Sequence, residues 1–467
     1  MNLLNLPDEL IEHILDLVHA DNTTDNCYSS SHKHRVHLTK RLASFTRNVL
    51  PVCHRFHDLG LSALYSHVHI GHPRAFDVFR YQLITYPYLG RLVRCLDFSD
   101  FTSIGLGRTR KMNREIQMVT SSTITDALQR SPNLREFLVS ESIEDELGRS
   151  VISSLFSLSH LEAVDFCGAS GSVFSDALMN TTFVPSASLS RISFHECVAI
   201  PRSVYESLLP QLGNLARLDL THAQISITAL MSIPATARIT HLSLSKCRSL
   251  RGKDIVCFLT THLSVTSGSL SWLSLQLTDL TAEDITRLLQ SLSCKVRHLN
   301  LSSLPVEESH LALLPENLEE VSLGYADLSI DALIKTFSRR TAVTYLDLTG
   351  NPHTNLWVVG DMRLFKACPH ILAWEFDTQR ILAKLVDARI PNYVVVLGQG
   401  RRGWIFKEEC DALDHAHSPM CSGHMLGMDM GNSEAWAGAG RKIDCSGTRY
   451  GGGLERGIYL YYSYRTK

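Results

Sequence analysis

Several clusters in this 467-residue chain carry residue types able to do chemistry. Gly398, Gly400 and Gly403 in "YVVVLGQGRRGWIF" have the spacing of a dinucleotide-binding turn directly after an apolar strand. That chemistry requires a helix N-terminus to receive the phosphates, and "WIF" continues as a strand instead. Cys410, His415, His417, Cys421 and His424 offer metal-ligand types, but their spacing fits no standard zinc knuckle. His32, His34 and His37 lie in a polar, Ser- and His-rich stretch whose loop character denies a metal the fixed geometry it needs. "HECVA" at 195–199 lacks the second histidine of a metalloprotease, and neither a Gly-x-Ser-x-Gly elbow nor a P-loop occurs. No catalytic set, metal set or cofactor is therefore assigned, and the chain is not expected to be an enzyme.

Composition narrows the field further. Lys and Arg total 45 against 47 Asp and Glu, a net charge of −2, so electrostatics point to neither nucleic acid nor an anionic membrane. Asp8, Glu9 and Glu12 interrupt the first apolar stretch, and no apolar run approaches membrane-span length, so a cytoplasmic or nuclear protein is expected. The 12 cysteines are scattered singly, the usage of reduced thiols.

One pattern organises the middle of the chain: apolar-x-x-apolar-x-apolar recurs eleven times, from "VRCLDF" at Val93 to "ILAWEF" at Phe376. Its central apolar residues are Leu96, Phe137, Val164, Ile192, Leu218, Leu242, Leu273, Leu299, Val321, Leu346 and Trp374. After a first step of 41 residues, which contains the basic run Arg108, Arg110, Lys111 and Arg114, the steps lie between 22 and 31. Period-two alternation makes each copy a short strand, and the spacing leaves room for a return helix. "TAEDITRLLQSL" is one such helix, with Thr281 as cap and Ile285, Leu288, Leu289 and Leu292 as its inner face; "SIDALIKTF" is another, capped by Ser329 with Leu333 and Phe337 inside. Three residues past the last apolar strand position stand Cys197, Cys247 and Asn351, with Ala at 169, 223 and 326, where this repeat type turns on an inward side chain. The pattern is that of a leucine-rich repeat with helices.

In such a solenoid the non-apolar strand positions face the concave side. Eleven strands at roughly 4.8 Å spacing span about 50 Å, enough for a folded protein or a long peptide. One column carries Arg191, Arg217, His241, Trp272, His298 and Tyr345, types enriched at binding hot spots and the candidate substrate-binding set. A more acidic column, Asp97, Asp165, Asp219, Asp347 and Glu375, runs beside it.

The first helix, "LPDELIEHILDLV", begins with Asn5 as cap, Pro7 where a missing N–H does no harm, and Asp8 and Glu9 on the positive end of the helix dipole. Its apolar face, Leu10, Ile14 and Leu17 widened by Ile11, Leu15 and Val18, exceeds what one helix contact would bury. With "VLPVCHRFHDLGLSALY" it resembles an F-box, the helical module that docks on the small adaptor of a cullin-RING ubiquitin ligase. Leu6, Pro7, Glu9, Leu10, Ile14, Leu15, Val52, Cys53, Phe56, Leu64 and Tyr65 match its pattern, with Phe56 where Trp is commoner. The stretch "HADNTTDNCYSSSHKHRVH" makes the link between the two helices longer than usual. "TYPYLGRLVRCLDF" is similar to the segment leading into the repeats in basidiomycete fungal members.

The resemblance implies a substrate-recognition subunit of an SCF-type ligase: adaptor bound by the matched residues, an unknown protein substrate bound by the concave repeat face, no nucleic acid and no membrane. The other reading is a repeat scaffold whose N-terminal helices only cap the array. The expected organisation is an α/β chain with an all-α F-box module at 1–75 carrying an inserted loop at 19–38, a leucine-rich-repeat solenoid at 76–380, and an irregular cap and Gly-rich tail at 381–467, closing with "IYLYYSY" as a strand.

Overall fold

The computed structural model describes residues 3–21, 45–71, 73–99, 118–183, 185–355, 359, 362–377, 393–397, 402–407, 442, 443 and 445. The expected basic run at 108–114, the His32, His34 and His37 cluster, the Cys410 to His424 cluster, and the strand at "IYLYYSY" lie outside these residues. So does the expected inserted loop, apart from residues 19–21, which extend the first helix. The chain divides into two compact units, centred on Met1–Phe194 and His195–Cys421.

In the first unit a 3-10 turn, Leu3–Asn5, precedes helix α1 (Asp8–Asp21), and α2 spans His54–Ser66. Asn5 lies within that turn and does not cap the helix; the Pro7 carbonyl accepts the first helical bonds, from Leu10 and Ile11 at 3.2 Å. Proline needs no partner for a missing N–H, so the helix starts directly after it. Five parallel strands follow in chain order: β1 (His67–His69), β2 (Cys95–Asp97), β3 (Glu136–Ser140), β4 (Ala163–Cys167) and β5 (Arg191–Ser193). Helices α3 (Pro73–Thr85), α4 (Ser121–Arg130), α5 (Arg149–Phe156) and α6 (Ser172–Met179) return the chain between them.

The second unit continues the same alternation. Strands β6 (Arg217–Asp219), β7 (His241–Ser243), β8 (Trp272–Ser274), β9 (His298–Asn300), β10 (Glu320–Ser322), β11 (Tyr345–Asp347) and β12 (Ala373–Asp377) form a parallel ladder in chain order. Their return helices include α7 (Arg202–Leu208), α8 (Ile227–Met231), α9 (Gly252–Thr261), α10 (Leu263–Thr266), α11 (Ala282–Ser291), α12 (Glu308–Leu311), α13 (Ile330–Phe337) and α14 (Arg363–Ala367). A hairpin of β13 (Tyr393–Leu397) and β14 (Arg402–Lys407) joins antiparallel to β12 and closes that edge. "WIF" is thus strand, as expected, and the described start of the C-terminal cap is regular.

All eleven sequence copies are strands, and their central apolar residues are at most 2% exposed. Within each unit these residues stand opposite one another in register, Leu96 to Phe137 to Val164 to Ile192 and Leu218 through Trp374, so each strand buries its apolar row against its neighbours'. The ladder also starts one strand earlier than the template: "HVH" at β1 pairs with β2 although His67 and His69 replace the usual residues.

Helix α11 begins as its sequence dictates. Thr281 accepts from the Asp284 N–H at 3.2 Å while Asp284 accepts from the Thr281 N–H at 3.1 Å, a reciprocal cap, and Ile285, Leu288 and Leu289 face inward. Leu292 becomes the half-buried C-cap. In α13, Ser329 caps and Leu333 and Phe337 are fully buried.

After the strands the chain reverses through a left-handed residue: Glu196, His222, Lys246, Leu277, Ser303 and Tyr325 have φ between 54° and 64°, and Gly350 takes 71°. The next residue turns inward, and Cys197, Ala223, Cys247, Ala326 and Asn351 are all at least 98% buried. Cys247 Sγ donates to the Leu220 carbonyl at 3.0 Å, and Asn351 Nδ2 to the Leu328 carbonyl at 3.1 Å, each tying its turn to the preceding repeat.

Candidate functional site

Two surfaces carry the candidate residues. The first is built on the N-terminal helix pair. Ile11 and Leu15 of α1 form a small core with Phe45, Leu50 and Ala63, against which Leu6, Val49, Phe56, Leu59 and Leu64 pack part-buried. Gly60 allows this closeness, since a Cβ there would collide with Leu50 Cδ2. Cys53 is the N-cap of α2, its Sγ accepting from the Phe56 N–H at 3.4 Å. Arg55 then clamps the start of α1: its guanidinium donates to Asp8 Oδ1 at 2.5 and 2.8 Å and to the Leu6 carbonyl at 2.7 Å. Arg55 carries no signal at the level of pattern, because a surface arginine on a helix has no periodicity to reveal its partner.

The core uses one stripe of α1 and leaves the other in the open. Leu10 is 50% exposed and Val52 60%, with Leu3, Leu4 and Val18 also exposed. Pro7 and Glu9 share this open side; Ile14 is half-buried. Of the matched residues, Leu15 therefore packs inside, Leu6, Cys53, Phe56, Leu64 and Tyr65 lie in between, and Pro7, Glu9, Leu10 and Val52 are accessible. Burial, with Tyr88 nearby, raises the Tyr65 hydroxyl above its ordinary pKa. A neighbouring aromatic set that periodicity did not single out, Tyr81, Tyr86 and Tyr88, is also exposed.

The second surface is the strand face. In the first unit Arg191 is mostly buried between Glu136 at 3.0 Å and Glu162 at 3.3 Å, so its charge is already matched on both sides. In the second unit the register places Arg217, His241, Trp272 and His298 on four adjacent strands. His241 and Trp272 stack at 19° with centroids 6.4 Å apart. Burial, followed by the nearby charges of Arg217 and His298, lowers the His241 pKa to about 3, so its ring is neutral at physiological pH. Glu320 interposes between His298, at 3.0 Å, and Tyr345, whose hydroxyl donates to the buried Glu375 carboxylate. Tyr345 is almost fully buried.

The acidic column proves to hold the backbone. Asp97, Asp165, Asp219 and Asp347 each accept, through Oδ1, the N–H two residues on, at 2.9 to 3.1 Å, and Asn300 does the same at 3.0 Å. These short loops turn each strand out of the ladder, the local bonding Asp and Asn favour. Asp219 does more: His195 Nδ1 lies 3.1 Å from its Oδ2, and the Ile443 N–H donates to that same oxygen at 2.8 Å. The tail residues Lys442 and Ile443 are buried, so a short stretch of tail occupies this point of the strand face. Nothing in the local sequence of 442–443 pairs it with residue 219.

A parallel strand-helix ladder with buried Asn or Cys at its turns is the leucine-rich-repeat fold, and here a pair of helices precedes it. The sequence is similar to that of the F-box protein YLR352W of Saccharomyces cerevisiae, 24% identical over an alignment of 491 residues covering 86% of this chain and 60% of that protein. The chain thus spans about 60% of the length of this curated relative. No protein-family model matches the sequence. Among solved structures, the Rad7 and Elc1 complex of yeast aligns at 13% identity over 74% of this chain and 88% of that one, with a TM-score of 0.43. The leucine-rich-repeat protein LegL7 of Legionella pneumophila aligns at 13% identity over 61% and 82%, with a TM-score of 0.33. Among the described residues no helix is long and apolar enough to cross a membrane.

Proposed function

We propose that this protein is the substrate-recognition subunit of a cullin-RING ubiquitin ligase of the SCF type, binding the small adaptor through its F-box-like helices and a protein substrate through the strand face. The observation that carries the reading is the divided use of the N-terminal helix pair: Ile11 and Leu15 complete its core while Leu10 of α1 and Val52, just before α2, stay half or more exposed on a module too small to cover them. An apolar patch of this kind on a soluble chain marks an interaction surface. The similarity to a yeast F-box protein supports the same assignment.

The mechanism needs no catalytic side chain here. Holding a substrate beside a charged conjugating enzyme raises the effective concentration of its lysines, and the bond-making groups belong to other subunits. On the strand face Trp272 is only 9% exposed and backs a part-buried, neutral His241, beside which part-buried Arg217 adds positive charge; Arg191 is neutralised by its two glutamates.

The test is co-purification of the full chain with the adaptor of its own cell, beside a Leu10→Asp, Val52→Asp double variant. Both positions are exposed, so folding is retained; one-to-one capture by the wild type and none by the variant is expected. Absence of capture by the wild type would leave the helices as a cap on the repeats and the protein as an interaction scaffold.

A further inference from the structure

We propose that His67, His69 and Asp97 form a zinc-type divalent-metal site on the first two strands of the ladder. The alternation of β1 puts His67 and His69 on one face, and the register sets His67 opposite Cys95 and His69 opposite Asp97. Of these, His67, His69 and Asp97 bring their ligand atoms together on one face of the two parallel strands.

The distances fit a coordinated ion better than a direct hydrogen bond. His67 Nε2 lies 3.6 Å and His69 Nδ1 3.5 Å from Asp97 Oδ2, and the three ligand atoms all lie within 4.8 Å of one another. Nitrogen–oxygen hydrogen bonds cluster near 2.9 Å, whereas ligands about 2.0–2.1 Å from a tetrahedral ion stand roughly 3.3–3.4 Å apart. The patch is also held in place. The Ser99 N–H donates to Asp97 Oδ1 at 2.9 Å, which leaves Oδ2 to face the histidines. The Ile70 N–H donates to the Asp97 carbonyl at 2.7 Å and the Arg94 N–H to the Ser66 carbonyl at 2.9 Å, locking the two strands in register. Asp97 and Cys95 are buried and the two histidines part-buried, an environment that favours retention of an ion.

Two imidazoles and one carboxylate, with a solvent molecule in the fourth position, suit zinc and disfavour calcium or magnesium, which take oxygen ligands. Because His67 is also the C-cap of α2, the ion joins the end of the helix pair to the first repeat. The inference is independent of any ligase role.

Cobalt(II) added to the metal-free full chain is the probe. The expected result is one tightly held ion per chain with the intense visible bands of tetrahedral cobalt and no thiolate charge-transfer band in the near ultraviolet. His67→Gln with His69→Gln abolishes the visible bands. Asp97→Asn, which keeps an acceptor for the Ser99 N–H and so preserves the strand end, weakens binding roughly tenfold or more; its circular dichroism confirms folding. Weak or octahedral cobalt binding by the wild type overturns the proposal. So does a tetrahedral spectrum that survives the double histidine change or full affinity in folded Asp97→Asn, since the ion then sits elsewhere among the remaining histidines and cysteines.

Discussion

Asp219 and His241 both titrate inside the strand face, and their signs can be worked out. Burial alone would raise the Asp219 carboxyl; His195 and the Thr221 amide outweigh it and hold the pKa below its ordinary value. A depressed carboxyl contributes stability in full above its unfolded pKa of about 4, and that contribution is lost as the pH falls below this value. His241 behaves differently from a paired histidine. With a folded pKa of about 3, it stays neutral while the unfolded chain protonates below about 6.5, so stability falls on acidification from there downward, by on the order of 1 kcal/mol per pH unit. His241→Gln should therefore flatten the dependence of the urea midpoint on pH between 7 and 4; an unchanged slope would show that the imidazole is not held neutral. Both residues were visible in the sequence as members of columns. Their states were not, because burial and partner geometry set them.

At the scale of the element, the strand-to-helix turn recurs with few recurring residues. The left-handed position is filled by Glu196, His222, Lys246, Leu277, Ser303 and Tyr325, types with nothing in common, and so escapes sequence inspection. Each costs roughly 1–2 kcal/mol against glycine, offset by whatever its side chain gains. Glu196 gains much: burial would raise its pKa, but Lys246 at 2.7 Å and His222 at 2.5 Å hold it down. Leu277 is 47% exposed. Leu277→Gly is therefore expected to leave stability unchanged or raise it by about 0.5 kcal/mol, the relief of strain exceeding the added chain entropy, while Leu277→Val should lower it by about 1–2 kcal/mol. Denaturant midpoints of the two variants decide this, and a loss of stability in the glycine variant contradicts it. The inward position behaves oppositely. Asn351 donates to the Leu328 carbonyl and accepts from the His353 and Thr354 N–H groups, so Asn351→Ala should cost roughly 1–3 kcal/mol by leaving buried backbone groups unsatisfied.

For the molecule as a whole, a parallel ladder buries its apolar row only by stacking, and its last strand exposes an edge unless covered. Here β14 pairs with β12 along Ala373–Asp377 and β13 pairs with β14. A chain ending at Asp377 leaves that edge bare, and it should lose monomeric solubility on size exclusion while the full chain stays monomeric. A soluble, cooperatively unfolding truncation would mean that the hairpin is dispensable.

The sequence by itself determined the repeat: eleven copies of a period-two template, spaced to admit a helix, leave the apolar rows no other way to be buried, and every copy is a strand. It also determined the capped helices α11 and α13, whose signals lie within four residues. It did not reveal β1, because "HVH" has histidines where the template expects other residues, nor the sorting of α1 into buried Ile11 and Leu15 and exposed Leu10, nor the Arg55 clamp. The contact between Ile443 and Asp219 joins positions 224 residues apart. Local periodicity reports which side of an element is apolar; which part of that side is covered, and by what, depends on neighbours far along the chain, and only the tertiary structure decides it.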